Sequence, residues 1–397
     1  MSSMEDMMNQ PHQSPYWLSI GLRPFFFLGA LAMAASVLVW IPILMGAVEL
    51  PTAFTPRDWH VHTLFFGGVA AIIAGFALTA VSNWTGRPPV AGRLLLALVL
   101  LWGAGRMAVS TSAIIGPLTA AIIDMTFPVM LVTVFAREVI VSRNYRNLRI
   151  VALVGAFGLA NLCFHLESFL TGTADHAMRA AVSIVLLMIM LVGGRIIPAF
   201  TRNWLKMRGA VRLPAEFSRL DGATMLIAAV SLACWIVVPA ATATGWLFAL
   251  TGLAAALRLS RWCGLQTTQE PLLFVLHVAY ATIPAGFALM SLAVFDSALI
   301  DPVSAVHVWT AGTVGLMTLA VMTRASRGHS GRTLVAGPLE VTIYALAIVG
   351  AGCRLAAGFA SGHYMAILEM AALAWALAFL VFALGYFPKL FRPAGVP

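Results

Sequence analysis

Twelve largely apolar stretches follow one another along the chain, at roughly 25–46, 60–82, 92–110, 114–136, 149–170, 177–198, 220–240, 243–259, 271–294, 303–323, 335–357 and 365–387. About 20 such residues cross a hydrocarbon core as a helix, so each stretch predicts one transmembrane span. The connections are short and rich in Pro, Gly and charge, as at Arg87-Pro88-Pro89 and Pro214, and leave no room for a soluble domain. The pattern predicts an all-α polytopic membrane bundle of 12 transmembrane helices. It divides into a tail over 1–24, a single transmembrane domain over 25–387 and a second tail over 388–397. The first tail has no apolar core ahead of a cleavage site, so no signal peptide is expected.

Composition agrees. Of the 397 residues 61% are apolar and 10% charged, with a mean hydropathy of +0.92. A soluble domain is about 45–50% apolar and about 25% charged, and disorder needs the opposite bias. With the N-terminus placed inside, all but four of the 24 Lys and Arg residues fall on the inner side; the exceptions are Arg57, Arg106, Arg179 and Arg354. Excess Lys and Arg marks cytoplasmic loops, so both termini are expected in the cytoplasm. The net charge of +9 then reads as a topology signal and an affinity for anionic membrane lipid. No RNP, zinc-finger or helix-turn-helix pattern accompanies it, so no nucleic-acid partner is expected. Cys163, Cys234, Cys263 and Cys353 share no close spacing and read as small buried apolar residues.

Some span endings echo one another. Thr79-Ala80-Val81-Ser82-Asn83-Trp84 in the second span resembles Pro198-Ala199-Phe200-Thr201-Arg202-Asn203-Trp204 in the sixth and Ala320-Val321-Met322-Thr323-Arg324 in the tenth. Gly103-Ala104-Gly105-Arg106 likewise recurs as Ala351-Gly352-Cys353-Arg354, and Arg23-Pro24-Phe25-Phe26 faintly as Glu270-Pro271-Leu272-Leu273. The offsets suggest a threefold repeat of four-helix units; chance similarity among apolar helices is the alternative.

The histidines carry the candidate chemistry. His60 and His62 open the second span, His165 lies near the outer end of the fifth, and His307 sits one turn into the tenth. Three helices thus deliver imidazoles to one outer layer of the membrane. Ionisable groups within spans are costly and mark functional interiors, and neutral imidazole suits iron, copper and zinc. Bis-histidine ligation of haem needs two rings at equal depth from separate helices, a depth condition that His62, His165 and His307 meet. His60 and His62 lie about 200° apart around a helix. Both face inward only if the helix begins between them, where Asp58 is placed to cap it. Against this stands the membrane histidine that merely hydrogen-bonds a neighbouring carbonyl. Arg106 and Arg354, in the outer half of their spans, suit the two propionates of haem; otherwise they pair with Asp124, Glu167 or Glu369, or snorkel outward.

Elsewhere the signals are weaker. Asp124, mid-span, is a proton relay or a hydrogen-bond acceptor. His277 and Tyr280 share a helix face as a second-site ligand with its orienting phenol, or as a structural pair. His329 falls in an inner loop, His176 and His363 in outer loops, and His12 in the tail. Met1, Met4, Met7 and Met8 either offer thioethers to Cu(I) or belong to a featureless tail. The absence of Walker A, H-E-x-x-H and C-x-x-C-H sequences argues against nucleotide hydrolysis and covalent haem attachment.

Several of these motifs together resemble the NnrS family. They are Trp59-His60-Val61-His62, the turn Asn83 to Pro88, Asn161-Leu162-Cys163-Phe164-His165, Gly193 to Trp204, Leu276-His277-Val278-Ala279-Tyr280, Thr313 to Arg324, and Gly328-His329-Ser330-Gly331-Arg332. The resemblance implies a bacterial inner-membrane protein containing haem and copper and associated with nitric oxide metabolism and nitrosative stress. It makes His60, His62, His165, His277, His307 and His329 candidate functional positions without dividing them between haem and copper. One departure stands out: the family pattern has glutamate after the second histidine, where this chain has Thr63. Three readings follow: a haem/copper protein that oxidises, reduces or sequesters nitric oxide, a transporter for a small molecule or metal, and a membrane nitric oxide sensor.

Overall fold

The computed structural model describes residues 14–393; the tail methionines and His12 lie outside them. Among the described residues every regular element is helical, and twelve helices are long and apolar enough to cross a membrane. They are α1 (Leu22–Leu44), α2 (Pro56–Thr85), α3 (Gly92–Ser110), α4 (Pro117–Val141), α5 (Leu148–Thr171), α6 (Asp175–Lys206), α7 (Arg219–Val237), α8 (Thr242–Ser260), α9 (Pro271–Phe295), α10 (Pro302–His329), α11 (Pro338–Ala357) and α12 (Tyr364–Phe391). Each matches one sequence-predicted span. An even number of crossings puts the start of α1 and the end of α12 on one face, called here the N-terminal face.

Helix starts follow simple chemistry. Thr55 accepts a hydrogen bond from the Asp58 backbone N–H ahead of Pro56. Asp301 does the same for Ser304 N, at 2.8 Å, ahead of Pro302. A capping oxygen followed by proline at the first helical position satisfies an orphan donor and presets φ. The cap of α2 is therefore Thr55, not Asp58.

Consecutive helices pack against one another around the bundle, and α12 closes the ring on α1. Phe27 meets Phe387 and Phe391 at 5.5 and 5.1 Å between ring centroids in that closing seam. Four helices also reach two or more partners beyond their neighbours in the ring. α2 touches α4 and α5, α6 touches α9 and α10, α9 touches α6 and α11, and α10 touches α1 and α12. Centrality shows in burial: the apolar window of α2 is 83% buried and that of α10 61%, against 28% for α1. Large side chains such as Leu100, Ile122, Phe169 and Leu226 remain exposed, as a lipid-facing surface requires. Cys263 is buried, Cys234 and Cys353 are partly buried and Cys163 is exposed, so the expectation of four buried cysteines holds for Cys263 alone.

Both central helices α2 and α10 widen into π-helical turns, over Thr63–Val69 and Val308–Val314. Each π segment starts immediately after a histidine, His62 or His307. Trp102 Nε1 donates to the carbonyl of Gly67 at 3.0 Å, and Trp375 Nε1 to that of Ala311 at 3.0 Å. An unmade backbone hydrogen bond in hydrocarbon costs several kcal/mol, so these indoles stabilise the irregular turns. α6 has no such turn. The recurrence thus relates α2 to α10, and a threefold repeat is not confirmed.

Candidate metal centre

Four helices converge at the end of the bundle opposite the N-terminal face. α2 brings His62, α4 Asp124, α5 both Asn161 and His165, and α3 Arg106. Asn161 and His165 are four residues apart and so share one face of α5. The His165 Nε2 and His62 Nε2 atoms lie 3.1 and 3.3 Å from Asp124 Oδ2. Asn161 Nδ2 donates to the same oxygen at 2.8 Å, while its Oδ1 lies 2.8 Å from His62 Nε2. Arg106 ion-pairs with Asp124 Oδ1, and its Nη1 is 3.5 Å from His62 Nδ1. The two imidazole rings stand 4.9 Å apart and edge-on, walled by Phe54, Phe66 and Phe164. His62 is 0% exposed and Asp124 1%.

The local sequence explains the convergence. Pro128 lacks the N–H that would bond the Asp124 carbonyl four residues earlier, so that carbonyl loses its usual helical donor beside the site. Gly105 lets α3 approach, because any side chain there would collide with Asp124.

His62, Asp124 and His165 offer one ligand atom each, all within 4.8 Å of one another. Two imidazole nitrogens and one carboxylate oxygen suit a first-row transition ion such as iron, copper or zinc. Arg106 neutralises the carboxylate in this enclosed site, which keeps a buried charge paired. Its Nε is buried without an acceptor.

A second histidine pair lies on the other side of α2. His60 and His307 both line a cavity of about 450 Å³ bounded chiefly by α1, α2, α10, α11 and α12. The His60 ring stacks on Trp40 at 4.5 Å and 20°, and its Nδ1 is buried without a partner. His307 Nδ1 donates to the carbonyl of Val303 at 2.6 Å, which leaves Nε2 free. Arg57, Arg179, Arg354 and Tyr364 line the cavity at its end away from the N-terminal face, and Met33, Leu368 and Trp375 line its apolar body. Two imidazole side chains, an apolar body and arginines at one end fit an amphipathic macrocycle bearing carboxylates.

The expected single layer of His62, His165 and His307 is therefore divided. His62 and His165 join Asp124, whereas His307 joins His60. His60 and His62 both face the interior although the helix begins four residues before His60, because α2 is enclosed on two sides. Arg106 belongs to the metal cluster, and Arg354 to the cavity. His277 lies toward the N-terminal face, its Nε2 2.8 Å from Thr201 Oγ1, and Tyr280 takes its hydrogen bond from Arg258 rather than from His277. His329, in the last turn of α10, is exposed and apart from both sites. Sequence reasoning missed Asn161 and Trp40 as site residues; the spacing of Asn161 from His165 was the available signal. No curated protein matches the sequence. The family model described as NnrS protein matches residues 16–394, a range that holds both histidine sites and all twelve helices, and the chain belongs to that family.

Proposed function

We propose that this membrane protein holds a haem in the α2–α10 cavity and a copper ion at His62, Asp124 and His165, and that it acts in nitric oxide metabolism or the nitrosative-stress response of the bacterial inner membrane. The observation that carries the reading is the convergence of two imidazoles and a carboxylate from three helices, buried and with their ligand atoms within 4.8 Å of one another. Family membership supports the choice of groups. For the haem, support comes from His60 and His307, which line one cavity with Arg354 at its basic end, and from the Nε2 of His307, which carries no hydrogen bond. The bond from His307 Nδ1 to Val303 fixes the tautomer that leaves Nε2 available, the usual way an outer contact orients a ligand. Trp40 holds the plane of His60. Arg354 would meet carboxylates at this end of the cavity, whereas Arg57 is already paired with Asp58 and Asp175 and Arg179 donates to the carbonyl of Ile236. Arg106 and Asn161 hold Asp124 so that one oxygen faces both imidazoles. When bound, iron and copper supply one-electron exchange and coordination of nitric oxide.

An optical spectrum with metal analysis of the purified protein tests this. A Soret band and copper are expected together. His60→Ala and His307→Ala should lose the band and keep copper; His62→Ala and His165→Ala should do the reverse. A band surviving both His60→Ala and His307→Ala overturns the haem assignment. Absence of both groups favours the transporter reading. Turnover of nitric oxide by the loaded protein distinguishes a redox role from sensing.

A further inference from the structure

A second, much smaller opening touches the metal centre from beneath. α2, α4 and α5 leave a slot of about 20 Å³ whose head is formed by Asp124 and Asn161 and whose walls include Phe66, Phe127, Phe157 and Val154. It runs from the cluster toward the middle of the membrane, since Ala70 and Ile73 lie one and two turns past Phe66 on α2. Room for a single water takes about 10–15 Å³, so the slot admits one small molecule.

Its polar end is already used. Asp124 Oδ1 is held by Arg106, and Oδ2 accepts from Asn161 Nδ2 with both imidazoles alongside. Asn161 spends its amide nitrogen on Asp124 and has His62 Nε2 at its oxygen. A buried water needs about 2–4 polar partners, and the remaining wall is aromatic and aliphatic. Water and anions lose their hydration here without replacement, which disfavours both. A neutral molecule with almost no dipole loses nothing. Pro128 and Ile73 are only partly buried, so the wall is thin toward lipid between α2, α4 and α5. Gly158 keeps the α4–α5 seam narrow but unfilled: a Cβ there would sit 3.2 Å from Pro128.

We infer that this slot binds a neutral, weakly polar diatomic gas and admits it to the His62–Asp124–His165 centre from within the bilayer. Delivery rests on the metal reading above; occupancy of the slot does not. The deepest atoms of the slot are then a waiting place next to the ligand cluster, separated from the aqueous mouth of the larger cavity by the body of α2. A charged nitrogen oxide is excluded by the same walls.

Xenon is the probe for occupancy, and nitric oxide for delivery. Purified full-length protein under xenon pressure should show one xenon atom in the slot by anomalous diffraction. Ala70→Val places two methyl groups in the slot and should abolish that site; Val154→Ala enlarges it and should retain it. Neither residue holds metal, so metal content should be unchanged in both, and an unchanged melting temperature confirms that each folds. In metal-loaded protein, nitric oxide binding at the non-haem centre, followed by stopped-flow mixing and electron paramagnetic resonance, should slow severalfold in Ala70→Val and not in Val154→Ala. An ordered water in the wild-type slot, no xenon there, or equal binding rates in all three proteins overturns the inference. Xenon in the slot of a protein that binds no metal at the cluster sinks the metal reading and leaves the gas site standing.

Discussion

At the scale of single residues the decisive contact is Arg106 on Asp124, a charge pair almost removed from water. Removing one member of a buried pair leaves the other uncompensated and costs about 3–5 kcal/mol. Asp124→Leu should therefore unfold more easily than wild type by about that amount, and Arg106→Leu combined with Asp124→Leu should recover most of it. Equilibrium unfolding in mixed micelles measures both; a double variant no better than the single one refutes the coupling. Asp301 provides a pH-dependent case outside the spans. Burial pushes its carboxyl upward, but hydrogen bonds from Ser304 and Val303, with Arg354 nearby, hold it net below the usual carboxylate range. A lowered value means that the cap stabilises fully above the ordinary range and fades as pH falls through the lowered one. Asp301→Ala should lose about 1 kcal/mol at neutral pH, with the deficit shrinking in acid. A melting-temperature difference independent of pH would contradict this.

At the scale of elements, the π turns separate the two histidine sites from the plain helix below them. Trp102→Phe leaves the Gly67 carbonyl without its donor and should cost about 1–3 kcal/mol. Deleting one residue from the regular helix over Ala70–Thr85 leaves the π turn in place and turns the two parts of α2 by about 100° relative to one another, which displaces His62 from α4 and α5. Such a deletion should abolish metal at the His62 cluster, read by metal analysis, more completely than Trp102→Phe does. The sequence shows these turns poorly. A helix that is apolar all round has no periodic stripe to interrupt, so a change from α to π leaves the pattern intact. The same enclosure explains the misreading of His60 and His62. Their 200° separation was correct, but it argues against two inward-facing rings only when a helix has a single buried face, and α2 has two. Asp124 is legible as a mid-span carboxylate, whereas its link to Pro128 runs through a backbone carbonyl and leaves no mark on the sequence pattern.

At the scale of the whole molecule, the twelve spans were legible because lipid imposes length and apolarity on every one of them, whatever they pack against. Which helices adjoin was not: ring closure of α12 on α1 and the inward position of α2 and α10 depend on side-chain fit. The arginine distribution links the two levels. Three of the four arginines that break the charge asymmetry, Arg57, Arg179 and Arg354, line the large cavity, and the fourth, Arg106, pairs with Asp124. A cation on the face where topology does not call for one needs another reason to be there, and here each has a site. Orientation should consequently be insensitive to these four residues and, on the proposed haem reading, haem retention sensitive to one of them. Arg354→Gln should leave fusion reporters at both termini on the side they occupy in the unsubstituted protein, since the basic residues of the N-terminal face still oppose inversion. The same variant should release haem more readily, followed as decay of the Soret band in the presence of a haem-scavenging protein. Arg93→Gln, which removes a charge from the N-terminal face away from the cavity, is the control and should release haem as wild type does. A Soret band equally durable in all three proteins would remove Arg354 from the cavity's recognition of carboxylates, while reporters displaced by Arg354→Gln would show that its charge serves topology instead.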